Sequence, residues 1–100
     1  MQLLTKAIIK KLPAMRETEG QGEEAIAQVK FFTPDSNWTW YGVEYDAEQR
    51  LFYGLVDGFD RELGYFSLDE LESVRGPMGL KIERDLYFDP TPLMTLYKEV

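Results

Sequence analysis

Carboxylates are the one plentiful chemical resource in this chain. Eighteen Asp and Glu stand against eleven Lys and Arg, with neither histidine nor cysteine. Without His, the side chain that titrates nearest neutrality is missing, so acid–base work would fall to carboxylates, lysines or tyrosines with shifted pKa values. The same absence excludes a histidine-dependent serine triad. The lack of Cys excludes a thiol nucleophile, a disulfide framework and sulfur-ligated zinc. Asp57, Asp60 and Glu62 are the tightest cluster of acids, and Glu44 joins them if its strand pairs with the next one. Such oxygens suit Mg²⁺ or Mn²⁺ in an enzyme acting on nucleic acid or nucleotides. Any solvated hairpin turn carries the same residues, so no catalytic role is assigned and no cofactor is expected. The glycines match neither G-x-x-x-x-G-K nor G-x-G-x-x-G, which leaves no phosphate-binding loop.

The acids are also unevenly placed. From Glu44 to Glu72 nine acids meet only two bases, Arg50 and Arg61, and this stretch carries the whole net charge of −7. The remaining nine acids and nine bases cancel. A phosphate backbone would be repelled here, so direct nucleic-acid binding is not expected. The excess reads either as a solvated face that aids solubility or as a surface that attracts a basic partner.

Eight of the fourteen aromatics fall between Phe31 and Tyr53, both tryptophans among them. Trp38 and Trp40, with Lys30 on the neighbouring strand, could stack bases as single-strand binders do, but such platforms need a basic groove. Core packing and cross-strand aromatic pairing explain the run without a ligand.

The elements that must position these residues follow from periodicity. One hundred residues predict a single domain over 1–100, with enough apolar surface for a core without staples. Thr5 caps a first helix whose stripe is Ile8, Ile9 and Leu12, with Leu4 stapled to Ile9, and Pro13 ends it. Its lysines interrupt the apolar stretch, unlike a secretory signal, and no run is long enough to span a membrane. These features and the absence of Cys predict a cytoplasmic protein. Residues 16–24 are polar and read as an exposed, mobile loop. Ala25 to Thr33, Trp38 to Tyr45, Leu51 to Val56 and Leu63 to Phe66 alternate or run apolar as strands. In the second of these, Trp38, Trp40, Gly42 and Glu44 would share one face, and Thr39, Tyr41, Val43 and Tyr45 the other. Ser67 and Glu70 form a capping box for a second helix, Phe66 and Leu71 its staple, and Gly76 its left-handed close. Leu80 to Phe88 reads as a fifth extended segment. Thr91 and Pro92 would start a last helix with Leu93, Leu96, Tyr97 and Val100 on its apolar face. The prediction is an α+β fold: a mostly antiparallel four- to five-stranded sheet with two or three short helices packed on one face.

Four stretches carry a resemblance: LLTKAIIKKLPA at 3–14, KFFTPDSNWTWY at 30–41, ELGYFSLDELESVRGPMGL at 62–80 and IERDLYFDPTPL at 82–93. Through them the chain resembles the small bacterial proteins grouped as domain of unknown function 2958. The resemblance implies a role in the biology of plasmids, integrative elements and other mobile DNA, near antirestriction or conjugation functions. It implies no activity and brings no catalytic residue.

The leading expectation is therefore a non-enzymatic interaction module whose contacts involve Trp38, Trp40, Glu44, Asp57, Asp60 and Glu62, with a basic protein as partner. Its first rival is the carboxylate-dependent metal enzyme, with Glu44, Asp57, Asp60 and Glu62 as ligands. A second rival is a structural homo-oligomer using the aromatic face of the Trp38–Tyr45 strand.

Overall fold

In the computed structural model, which describes residues 2–98, the apolar runs become strands β2 (Val29–Phe32), β3 (Thr39–Asp46), β4 (Leu51–Asp57) and β5 (Arg61–Ser67). They form an antiparallel meander. A short β6 (Glu83–Arg84) pairs with β2 to complete a five-stranded sheet in the order β5-β4-β3-β2-β6. A separate two-stranded ribbon joins β1 (Ile26–Ala27) to β7 (Thr91–Pro92). Three short helices accompany them: α1 (Lys6–Lys11), α2 (Leu68–Ser73) and α3 (Leu93–Lys98). Among the described residues, no helix is long and apolar enough to cross a membrane. The expected α+β fold is the observed one.

The helices divide between the two faces. Ile8, Leu12, Leu68 and Leu71 close over Val29, Phe31, Trp40, Tyr45, Phe52 and Phe66. On the other face Leu93 and Leu96 of α3 pack on Ala25, Ala27, Val43 and Leu55. Packing on one face thus holds for α1 and α2 and fails for α3. The reason lies in β4, whose Phe52 and Leu55 are apolar on opposite faces and must both be covered.

A β-bulge corrects a second expectation. Gly42 lies opposite Gly54, yet Glu44 lies opposite Tyr53, so Val43 is the extra residue. The bulge inverts the alternation beyond it. Tyr45 joins the Trp40 face against Phe52, with ring centroids 4.6 Å apart, and Glu44 moves to the opposite face with Tyr53.

The caps divide similarly. Thr5 and Ser67 cap as expected, accepting from the N–H groups of Ile8 (3.3 Å) and Glu70 (3.2 Å). Ile9 is exposed, and Ile8 packs in its place beside the buried Leu4. α2 ends at an extended Val74, not at Gly76. Thr91 does not cap α3: its hydroxyl donates to the Asp89 carbonyl (2.7 Å), and Thr91 and Pro92 pair with β1. The extended segment from Leu80 shrinks to β6 because Asp85 Oδ1 accepts the Tyr87 N–H (2.9 Å) and turns the chain. Val100 lies outside the described residues.

Candidate functional site

The loop after β2 is built to present Trp38. Thr33 and Trp38 close it: the Thr33 N–H donates to the Trp38 carbonyl (3.0 Å), and the Trp38 N–H donates to Thr33 Oγ1 (3.1 Å). Inside it, Asp35 Oδ2 accepts the Met78 N–H (2.8 Å), tying the loop to the Gly76–Gly79 turn. Its other oxygen is buried with no hydrogen-bond partner among the described residues and lies where a Cβ on Gly76 would stand. Gly76 is therefore needed for close approach, not for helix termination.

Trp38 stacks on Trp40 with centroids 5.9 Å apart and meets Phe59 edge to face at 5.4 Å. Its indole lies across the backbone of Gly58, where any side chain would collide with it. Trp40 is buried at 9% exposure, Trp38 is half-buried, and Phe59 is 93% exposed. Beside them runs a groove of about 340 Å³, walled by Thr33, Trp38, Trp40, Val74, Arg75 and Pro77. Met78 and Leu80 add exposed apolar surface in the segment that follows.

The acids sort into two groups. Trp40 lies opposite Val56 and Val56 opposite Glu62, so Glu62 shares the row and the face of Trp40. Asp60 follows Phe59 in the β4–β5 turn, and both Asp60 and Glu62 are exposed. Asp57 is engaged by Arg61 at 3.3 Å. Further off, Arg50 binds Asp69 and Glu72, and the Asp69 hydrogen bond is the chief cause that raises its pKa. Asp46 Oδ1 accepts the N–H groups of Glu48 and Gln49. Among the described residues, Asp60 and Glu62 have no ion-pair partner.

Glu44 is elsewhere. Its register partner is Tyr53, whereas Asp57 lies opposite Thr39, so Glu44 does not join Asp57, Asp60 and Glu62. Among the described residues, no three acids converge as a metal site. Glu44 is buried and its carboxylate is consumed by the 16–24 loop. It accepts the N–H groups of Arg16 (2.8 Å) and Thr18 (2.9 Å) and the Thr18 hydroxyl. Burial pushes its pKa up, but these donors outweigh it and hold the carboxyl below its usual value. The loop read as mobile is fastened at this point. Glu44 borders a second concavity of about 480 Å³ with Arg16, Thr18, Tyr53, Leu63 and Tyr65. A carboxylate held ionised by three donors is a poor proton carrier. Tyr45 is no better placed as a base, since burial pushes its phenol up against the opposing charge of Arg50.

Of the six predicted contact residues, the structure brings Trp38, Trp40, Asp57, Asp60 and Glu62 to one end of the sheet and leaves Glu44 out. Lys30 pairs with Tyr41 and so lies on the face opposite Trp40. β3 is interior to the sheet, and Trp40 and Tyr45 on its aromatic face are covered, which leaves Trp38 as the half-open ring of that face. The sequence reading missed Phe59, Val74, Arg75, Pro77 and Asp35. Phe59 carried a signal, an aromatic residue inside the otherwise polar turn Asp57–Asp60.

The chain belongs to the family described as protein of unknown function (DUF2958), whose model matches residues 3–100. Comparisons with curated proteins and with solved structures gave no match.

Proposed function

We propose that this protein is a non-enzymatic interaction module that takes an apolar or aromatic anchor of a partner protein into the groove beside Trp38, with basic residues of the same segment meeting Asp60 and Glu62. The observation that carries the reading is Phe59, 93% exposed and seated on Trp38, with Asp60 and Glu62 nearby and without an ion-pair partner among the described residues. A solvent-facing aromatic costs solubility and is what interfaces use as an anchor. Arg75 lines the groove with its guanidinium bonded to the carbonyls of Glu72 (3.1 Å) and Val74 (3.0 Å), so the basic residues of the partner are placed at Asp60 and Glu62 and only its apolar anchor in the groove itself. The family resemblance supports a role in mobile-element biology, where proteins that handle nucleic acid supply basic segments, and the cysteine-free composition supports the cytoplasm as its place. Affinity capture from a bacterial lysate tests this. A partner retained by the natural protein, eluted by salt and lost with Phe59→Ala or Asp60→Lys is the expected result. Capture that none of these changes alters would contradict it.

A further inference from the structure

The free edge of β5 points to a second interface. Leu68 N–H donates to the Arg50 carbonyl (2.9 Å), and Gly58 N–H donates to the Asp60 carbonyl (3.1 Å). Bonded pairs alternate along an antiparallel ladder, so Glu62, Gly64 and Phe66 direct their backbone groups toward β4. Arg61, Leu63, Tyr65 and Ser67 direct theirs away from it, where no strand lies among the described residues. Among those residues, the N–H and C=O groups of Leu63 and Tyr65 have no backbone partner. Natural edges are blunted by proline, charged side chains or a bulge; β5, with the sequence RELGYFS and a continuous register, has no proline and no bulge, and its charges, Arg61 and Glu62, are confined to one end. Its side chains on the α3 face, Leu63 at 41% and Tyr65 at 61% exposure, are apolar and half open.

We infer that β5 pairs antiparallel with β5 of a second copy of this chain about a two-fold axis through Gly64. The choice of occupant rests on register. Centring on Gly64 aligns the whole strand with itself and matches outward backbone groups with outward backbone groups. It sets Leu63 against Tyr65 of the second copy twice over, covering both exposed apolar side chains. No like charges then face each other, since Glu62 meets Phe66 and Arg61 meets Ser67. Each copy's own Leu63 and Tyr65 line the concavity that Glu44 borders, so the pairing would bring the second strand against the wall of that concavity.

Light scattering coupled to gel filtration at about 100 µM, well above a micromolar dissociation constant, should report a dimer. Each copy carries −7, so raising the salt should strengthen the dimer, the reverse of binding to a basic partner. Tyr65→Lys should raise the dissociation constant about tenfold or more. The Leu63 amide should exchange with solvent about tenfold more slowly in the dimer than at concentrations that dissociate it, while Gly64 stays protected in both. A monomer at 100 µM would overturn the inference, as would a dimer whose Leu63 amide exchanges freely. The exchange measurement uses the natural protein and decides the matter even where Tyr65→Lys does not fold.

Discussion

Glu44 shows what one residue's environment decides. In sequence it is one acid among nine; in the fold its carboxylate is bonded by the N–H groups of Arg16 and Thr18 and by the Thr18 hydroxyl, and it fastens a loop. Its folded pKa is depressed, so the stabilisation is complete above the ordinary value of 4.5 and is lost as pH falls through the lower folded value. Glu44→Gln, which turns an amide N–H toward backbone donors, should cost about 2 kcal/mol at neutral pH. It should also flatten the acid limb of stability, read by denaturant unfolding across pH. An unchanged acid limb would contradict the role. Gly76 makes the same point through its backbone: Gly76→Ala should destabilise by about 1–3 kcal/mol, and trimming Asp35 to Ala in the same chain should restore part of that. Neither role was legible in sequence. A carboxylate's donors and a glycine's neighbour here both come from distant stretches, and local spacing does not report them.

At the scale of elements, local rules succeeded where the determining contacts are local. The Ser67 cap reaches three residues along the chain, and the structure contains it. Ser67→Ala should lower stability by about 1 kcal/mol without altering partner capture, as measured by thermal or denaturant unfolding. The strands of the meander were legible from apolar alternation. The bulge at Val43 was not, because it follows from pairing eight residues of β3 with seven of β4, and it moved Glu44 off the tryptophan face. Gly76 misled because Gly-Pro after a helix is a common stop, whereas here the glycine makes room for another loop. The β4–β5 turn carries the functional argument: Phe59→Ala should leave stability within about 0.5 kcal/mol, since the ring is solvent-facing, while abolishing capture. A large loss of stability would instead make Phe59 a structural clasp on Trp38.

For the whole molecule, the central acidic excess keeps its full net charge of −7, but the fold spreads it, and few of its acids stand at the groove. Glu44, Asp46, Asp57, Asp69 and Glu72 are each held by partners within the fold, and the free charge by the aromatic groove comes from Asp60 and Glu62. The groove and the β5 edge share Glu62 but have opposite expected responses to salt, so binding and self-association can be told apart. The groove is the surface on which partner binding depends most. Peptides selected from a random library against the natural protein, titrated while tryptophan emission is followed, test it directly because both tryptophans of the chain line the groove. The account predicts peptides with an apolar or aromatic anchor beside Lys or Arg, a shift in emission on binding, and affinity that falls at least tenfold between about 0.05 and 0.5 M salt. It predicts the same loss with Phe59→Ala or Asp60→Lys. Peptides that bind without moving the emission, or that bind the Phe59→Ala protein equally well, would contradict it.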